Sequence, residues 1–334
     1  MIIAIDAFGS DNAPSPEVEG AVAAIKENIC DKIILVGNKD LITDELNQYK
    51  YELKRISIVQ ASEVISMSDK ASRAVRKKKD SSLVKAINLQ KDKKVNAVVS
   101  AGNTGAAMAA SLFAYGRINN VSRPAIATNI PTIDGHPKLI MDVGANADCN
   151  ENHLHEFALL GSLYFHFFYG KEKPRISLLN IGEEPEKGNE LSKKTYKLLS
   201  EDSHIFFQGN EEGKDILTGN SDVVICDGFV GNVVLKTVEG TATSIVGMLK
   251  SEIKKRIVSK FGAILLLPVF KALKNKMDHS SYGGALLVGL NGNTIVAHGR
   301  SNGKAIKNAV KMGVKISESG FVEHAKEYFK GLKK

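Results

Sequence analysis

A three-layer α/β/α fold built on a mostly parallel sheet is what the sequence predicts, from three observations. Short β-branched runs alternate with segments whose apolar residues recur at intervals of three and four, almost from end to end. The runs are continuously apolar, as strands covered on both faces must be. Polar, Gly-rich turns follow them, whereas no Gly/Ser/Pro-rich linker, repeat or low-complexity tract interrupts the 334 residues. Residues 1–334 therefore read as a single α/β/α domain, divided at most into two lobes.

The elements follow in order. Residues 2–5 open directly as a strand leading to Asp6, with no basic stretch before them, so the start reads as neither a signal peptide nor an anchor. The runs 32–36, 56–60, 95–100, 125–130, 139–142, 176–180, 222–226 and 294–298 supply the remaining strands. Between them, 16–27, 81–90, 104–116, 153–168, 188–199 and 232–249 carry apolar residues at helical spacing. Parallel sheets gather ligands at the carboxyl ends of their strands, so function is expected in the turns that follow them.

Composition excludes several classes. At 43% hydrophobic and 25% charged residues the chain is neither disordered nor a coiled coil. Three widely spaced cysteines, Cys30, Cys149 and Cys226, do not make a disulfide scaffold and fit a reducing cytoplasm. No apolar stretch reaches the ~18 residues that a spanning helix requires. Lys and Arg number 45 against 37 Asp and Glu, a net +8 that favours acidic partners. With no Trp, 6% aromatic residues and neither a zinc-finger nor an RNA-binding motif, nucleic acid is not expected among them.

Part of the excess lies in residues 250–281, where over 250–276 Lys250, Lys254, Lys255, Arg256, Lys260, Lys271, Lys274 and Lys276 face the one acid Glu252. Ile257, Phe261, Leu265, Leu266 and Phe270 form an apolar band among them. The segment reads as a basic amphipathic helix, or two broken near Pro268, suited to a membrane interface or a dimer contact.

The strand-end turns repeat one chemistry. Ser100-Ala101-Gly102-Asn103-Thr104-Gly105 passes from a strand into an Ala-rich helix. Its glycines admit a close ligand, and the helix start offers free N–H groups and a positive dipole end, a natural anion site. The alternative is a tight turn capped by Asn103 or Thr104. Asp142 to Asn146, the turn holding Lys187 and Asn189, Asp227 to Asn232 with Lys236 beyond it, Tyr282-Gly283-Gly284, and His298 to Gly303 continue the series. Together they argue for a cleft that holds an oxyanion.

Missing patterns matter as well. No G-x-G-x-x-G and no P-loop occurs, which weakens nicotinamide and nucleotide readings. His153 and His155 stand two apart, a spacing that points helical side chains away from each other, so no metal site is expected there. Gly299-Arg300-Ser301-Asn302-Gly303 fits G-x-S-x-G, but only His324, with Glu318 and Glu323, follows it in a polar terminal helix. Ser301 is expected instead to donate to an anion or to cap the last helix.

These turns, in order and spacing, resemble the acyl-carrier-protein:phosphate acyltransferase family of bacterial phospholipid synthesis, the PlsX family. The opening Asp6-Ala7-Phe8-Gly9-Ser10-Asp11-Asn12-Ala13-Pro14 is similar to the family's start, with Ser10 in place of its second glycine. The resemblance runs over nearly the whole chain. It implies a fold similar to isocitrate and isopropylmalate dehydrogenases and phosphotransacetylase, and no bound metal or organic cofactor. It also implies transfer of a long acyl chain from acyl carrier protein to inorganic phosphate. The acyl phosphate formed serves a membrane glycerol-phosphate acyltransferase. A homodimer attached peripherally to the inner face of the cell membrane, in the cytoplasm, is the implied setting.

On this reading phosphate, already nucleophilic near neutral pH, attacks the thioester directly once it is bound and desolvated. Lys187, Asn232, His298 and Ser301 are the expected catalytic residues. Asp6, Asp11, Ser100, Gly102, Asn103, Thr104, Gly105, Asp142, Asn146, Asn189, Asp227, Lys236, Tyr282 and Gly283 are the expected substrate and phosphate contacts. Arg73, Arg76, Lys77 and Lys78 are expected to meet the acidic carrier, or else to form a solvated helix end. Cys226, beside Asp227, is the alternative nucleophile for an acyl-enzyme. A metal- and NAD-dependent decarboxylating dehydrogenase of the same fold and a non-catalytic carrier-binding scaffold are the rival functions.

Overall fold

The computed structural model describes residues 1–50, 52, 54–271 and 283–332. Its strands are β1 (Ile2–Asp6), β2 (Lys32–Gly37), β3 (Ile56–Gln60), β4 (Ala97–Ser100), β5 (Ala125–Ile130), β6 (Lys138–Met141), β7 (Arg175–Asn180), β8 (Phe206–Glu212), β9 (Val223–Ile225), β10 (Ala285–Val288) and β11 (Thr294–Val296). The described helices are α1 (Ser15–Lys26), α2 (Lys39–Leu46), α3 (Ala71–Lys77), α4 (Ser82–Lys91), α5 (Thr104–Tyr115), α6 (Glu151–Tyr169), α7 (Glu190–Glu201), α8 (Gly228–Lys255), α9 (Ile257–Leu265), α10 (Gly303–Ser319) and α11 (Phe321–Gly331).

All these strands join one sheet in the order β3-β2-β1-β4-β11-β10-β5-β6-β9-β7-β8. β3, β2, β1, β4 and β11 run parallel to one another. So do β6, β9, β7 and β8. Three successive antiparallel pairings, β11 with β10, β10 with β5 and β5 with β6, join the blocks. An odd number of reversals points the second block against the first. The carboxyl ends of the two blocks therefore leave the sheet at opposite edges.

Helices cover both faces, as continuously apolar strands require. Ile3, Ile5, Ile33, Leu35, Ala97 and Val99 point to the side packed by α1, α2, α6, α10 and α11. Ala4, Val36 and Val98 point to the side packed by α3, α4, α5 and the start of α8. β1 is flanked by β2 on one side and β4 on the other, and the helices that follow these strands lie on opposite faces. A crevice opens at the carboxyl ends where the winding changes direction.

The expected architecture is present, and the differences are local. β8, β10, α2 and α3 were not expected. β8 is an edge strand of sequence Phe-Phe-Gln-Gly-Asn-Glu-Glu, too polar to read as a strand. α2 and α3 span 8 and 7 residues, too short to establish a period. The helix expected over 232–249 begins earlier, with Asp227 accepting from the Val230 amide as its cap, and runs 28 residues. It is then about 42 Å long.

In the basic segment the chain does break near Pro268, at Leu266, which ends α9. It breaks also at Arg256, whose extended φ of −129° and ψ of 131° separate α8 from α9. The part of the segment beyond residue 271 lies outside the described residues. From Thr241 onward α8 is almost wholly exposed, including Ile245 and Met248, and Val258 and Leu265 on α9 are 82% and 81% exposed. No described helix is long and apolar enough to cross a membrane.

The tightest helix contact is that of α1 with α10. A Cβ on Gly20 would stand 2.6 Å from Ile306 Cβ and 2.8 Å from the Gly303 carbonyl oxygen. Overpacking of this kind outweighs the helix propensity that Ala gains over Gly. Gly20→Ala is expected to cost about 1–3 kcal/mol, seen in calorimetry as a melting temperature a few degrees lower.

Candidate active site

At the first block's edge, three turns from β1, β4 and β11 close on one another. A Cβ on Gly9 would lie 2.7 Å from the Gly102 amide nitrogen, so the β1 and β4 turns touch backbone to backbone. The Asp11 amide donates to the Gly299 carbonyl at 2.8 Å, and the Ala297 amide to the Ser100 carbonyl at 2.8 Å. Asp6, Asp11, Ser100, Gly102 to Gly105, His298 and Ser301 are thus brought together. Gly283, with φ +82°, joins them at the start of β10, its Cα facing the Asn308 carbonyl oxygen. Tyr282 lies outside the described residues.

Asn103 proves to be the cap of α5. Its Oδ1 accepts from the Ala106 amide at 3.0 Å, and its Nδ2 donates to the carbonyls of Ser66, Met67 and Asp69. Both ends of this side chain are therefore committed, one to the helix and one to the 66–69 loop. The exposed amides of Thr104 and Gly105, the first two of α5, have no acceptor among the described residues. They point at solvent from the positive end of the helix dipole, which suits an anion.

On the neighbouring turn, the Arg300 amide donates to His298 Nδ1 at 3.1 Å. That bond leaves the proton of the neutral ring on Nε2, making it a donor. Burial and then the charge of Lys236 hold the His298 pKa below the usual histidine value, so the ring is neutral near pH 7. Ser301 is 8% exposed and does not cap the helix that follows it, α10; Asn302 does, accepting from the Ala305 amide. His324 stacks on Phe167 of α6, so no Ser-His pair forms at the G-x-S-x-G turn. His153 closes the α6 capping box and His155 meets Asp202, so the two histidines share no ligand.

Two carboxyls lie beneath these turns. Asp6 accepts from Ser100 Oγ at 2.7 Å, and burial raises its pKa. Glu17, fully buried on the first turn of α1, accepts from the Ser10 amide at 3.0 Å. Its other oxygen, and the Ser10 hydroxyl, have no hydrogen-bond partner among the described residues. Sequence reasoning missed Glu17, because a Glu in a first helical turn ordinarily faces water. The one signal was Ser10 standing where the resemblance expects glycine.

The second block gathers the other half of the expected residues. Asp142 is buried and takes amide hydrogens from Ile126, Gly144 and Ala145 on Oδ1, and from Asn146 on Oδ2. Asn146 Nδ2 is shared between Asp142 and the Pro124 carbonyl. Asn189 caps α7 and Asp227 caps α8. These four side chains hold the backbone, which leaves Lys187 and Asn232 as exposed groups at this edge. Asn232 lies over Gly144, within 4 Å of where its Cβ would be. Cys226 is buried against the Asp142 carbonyl, and burial followed by the nearby Asp142 and Asp227 charges pushes its thiol well up.

The sequence suggests a single cleft, but opposed strand directions divide its turns between two edges. α8 connects them. It starts among Asp142, Asn146 and Asp227, and two to three turns later brings Lys236 and Glu239 close enough for their charges to reach His298. Lys236 itself pairs with Glu239 at 3.1 Å. In the basic cluster, Lys78 pairs with Asp69 at 2.6 Å, and Arg76 lies over the Phe113 ring. Arg73 and Lys77 are exposed, with no ion pair among the described residues.

Residues 1–324 match the family described as fatty acid synthesis protein. Over all 334 residues the chain is 48% identical to the phosphate acyltransferase of Dictyoglomus turgidum, covering 98% of that protein. It is 44% identical to the phosphate acyltransferase of Clostridioides difficile over 328 residues, covering 98% of this chain and 96% of that one. In fold it is similar to the EutD phosphotransacetylase of Staphylococcus aureus, with a TM-score of 0.59, 13% identity and 95% and 94% of the two chains covered. A phosphotransacetylase from Streptococcus pyogenes gives 0.60 and 15%, with the same coverage.

Glu17 gives this region a pH signature. Burial, opposed by the hydrogen bond from the Ser10 amide, pushes its pKa from 4.5 up to about 7. Below the lower value both folded and unfolded chains hold the proton, and nothing is lost. Between the two values the unfolded chain releases it while the folded chain retains it, so stability falls as pH rises. Above about 7 the loss is complete, on the order of 3 kcal/mol. Glu17→Gln keeps an acceptor for the Ser10 amide and removes the titration. Its melting temperature relative to the parent chain is expected to climb between about pH 5 and about pH 8; parallel curves would show that Glu17 is not the group responsible.

Proposed function

The chain belongs to the fatty acid synthesis protein family, with the phosphate acyltransferases as its relatives, and on that premise we propose that it moves a long-chain fatty acyl group from acyl carrier protein to inorganic phosphate, releasing acyl phosphate. One observation carries the reading: two unpartnered amides at the start of α5 stand beside a neutral His298 on the adjoining turn.

Phosphate sits at the Thr104 and Gly105 amides, where the helix dipole and loss of water favour it. One of its oxygens attacks the thioester carbonyl. The C–O bond forms, negative charge gathers on the carbonyl oxygen, and the C–S bond then breaks. The phosphate hydroxyl proton passes to the departing sulfur, so the products are acyl phosphate and a thiol. His298 Nε2–H donates toward the leaving sulfur, while Ser301 or Asn232 donates to the developing oxyanion. Lys187 and Lys236 supply positive charge around the dianionic transition state. The buried, protonated Cys226 is a poor nucleophile, which supports direct attack over an acyl-enzyme.

Asp142 already spends both oxygens on backbone amides and Asp227 spends one, which disfavours the metal-bridging role that a decarboxylating dehydrogenase would need of them. The projecting part of α8 and α9, with exposed Leu265 and Leu266 among lysines, supports peripheral attachment to the inner face of the cell membrane and pairing with a second copy. Acyl phosphate made there reaches a membrane glycerol-phosphate acyltransferase.

Palmitoyl-acyl carrier protein incubated with the protein is expected to lose its thioester only when inorganic phosphate is present, and hydroxylamine is expected to trap the acyl phosphate. Equal loss without phosphate would replace the transferase by a hydrolase, and no loss would favour a carrier-binding scaffold. In vesicle flotation, Leu266→Glu is expected to leave the protein in the soluble fraction where the parent chain floats. Equal flotation of the two at unchanged dimer content would remove α9 from membrane contact.

A further inference from the structure

Outside the turns already described, a cavity of about 330 Å³ opens beside α3, lined by Ser68, Asp69, Lys70, Arg73, Lys77 and Lys78 among others. Lys78 neutralises Asp69 and ties the loop through the Val64 carbonyl. That leaves Lys70, Arg73 and Lys77 as uncompensated charge. Arg73 and Lys77 are four apart on one helical face, so both look into the same space.

The cavity adjoins the site. Its 66–69 rim is the loop clamped by Asn103 Nδ2, and a Cβ on Gly105 would stand 3.2 Å from Ala71 Cβ. From the rim, Met67, 45% exposed, extends its methyl against Gly299, where a Cβ would be 2.5 Å away. A path therefore leads from a basic cavity, across an exposed apolar side chain, to the His298 turn. Those are three environments in a fixed order: anion, flexible linker, thioester.

The prosthetic arm of an acyl carrier protein has the same order, a phosphodiester, then an uncharged pantetheine chain, then sulfur. We infer that the α3 cavity seats the phosphodiester of the carrier's 4′-phosphopantetheine, with Arg73 and Lys77 as its ligands and Met67 beneath the chain. The inference rests on the acyl-carrier-protein reading above. It separates two anions, placing inorganic phosphate at the α5 amides and the phosphodiester at α3.

The test is calorimetric binding of 4′-phosphopantetheine, pantetheine and inorganic phosphate to the full chain and to the Arg73→Ala/Lys77→Ala variant. Both residues are exposed and unpaired, so an unchanged melting temperature is expected. The parent chain should bind 4′-phosphopantetheine about tenfold tighter than pantetheine, through charge-assisted bonds. The variant should lose that preference and keep its affinity for inorganic phosphate. Equal binding of the two arms by the parent chain, or a preference that survives in the variant, would overturn the inference. Weakened binding of inorganic phosphate alone would overturn it too, by making the cavity a free-phosphate site. Acyl phosphate production by the same preparations reports separately on the transferase reading, since the arm preference is measured without turnover.

Discussion

Opposed polarity within one sheet is the constraint on which the rest of this structure depends. Three antiparallel pairings between β11 and β6 set the second parallel block against the first. Each block alone would follow the usual rule of ligands at carboxyl ends. Joined in this way, they send their functional turns to different edges, and only an element lying across the sheet brings groups from both together. α8 is that element. Its base is capped by the Asp227 carboxylate, and its third turn carries charge to His298.

Much of this was legible in the sequence because it follows from local rules. The strands read as continuous apolar runs since both faces are covered, and the Gly-Asn-Thr-Gly turn after β4 announced a helix start with free amides. What local rules do not contain is strand direction. Nothing in the turn at Asp142 or at Asp227 states which way β6 and β9 run, so the turns read as one cleft. The role of Asn103 was hidden for a related reason. Its cap is local, but the three carbonyls held by its Nδ2 come from residues 66–69, more than thirty positions away.

Long-range contacts also explain why several polar residues in the turns serve the scaffold. Asp142, Asn146, Asp227 and Asn189 have the composition of a binding site, yet each satisfies backbone groups that would otherwise be buried without partners or left open at a helix start. Their work is to let Gly228 and Gly231 approach other backbone closely: a Cβ on Gly228 would lie 2.7 Å from the Asn146 carbonyl oxygen. Glu17 is the opposite case. Its sequence context is that of a helix start facing water, while the fold seals it under the β1 turn with one oxygen unpartnered.

A long helix is also a ruler. Sixteen residues separate Asn232 from Met248 on α8, which sets them about 24 Å apart along the axis. Because that stretch is one uninterrupted helix, the separation between the chemistry at its base and whatever surface its exposed end rests on is a fixed number of residue rises, not a flexible reach. Standoff height is thus written into residue count, so each residue added or deleted there changes it by about 1.5 Å and rotates the far end by about 100° relative to the base.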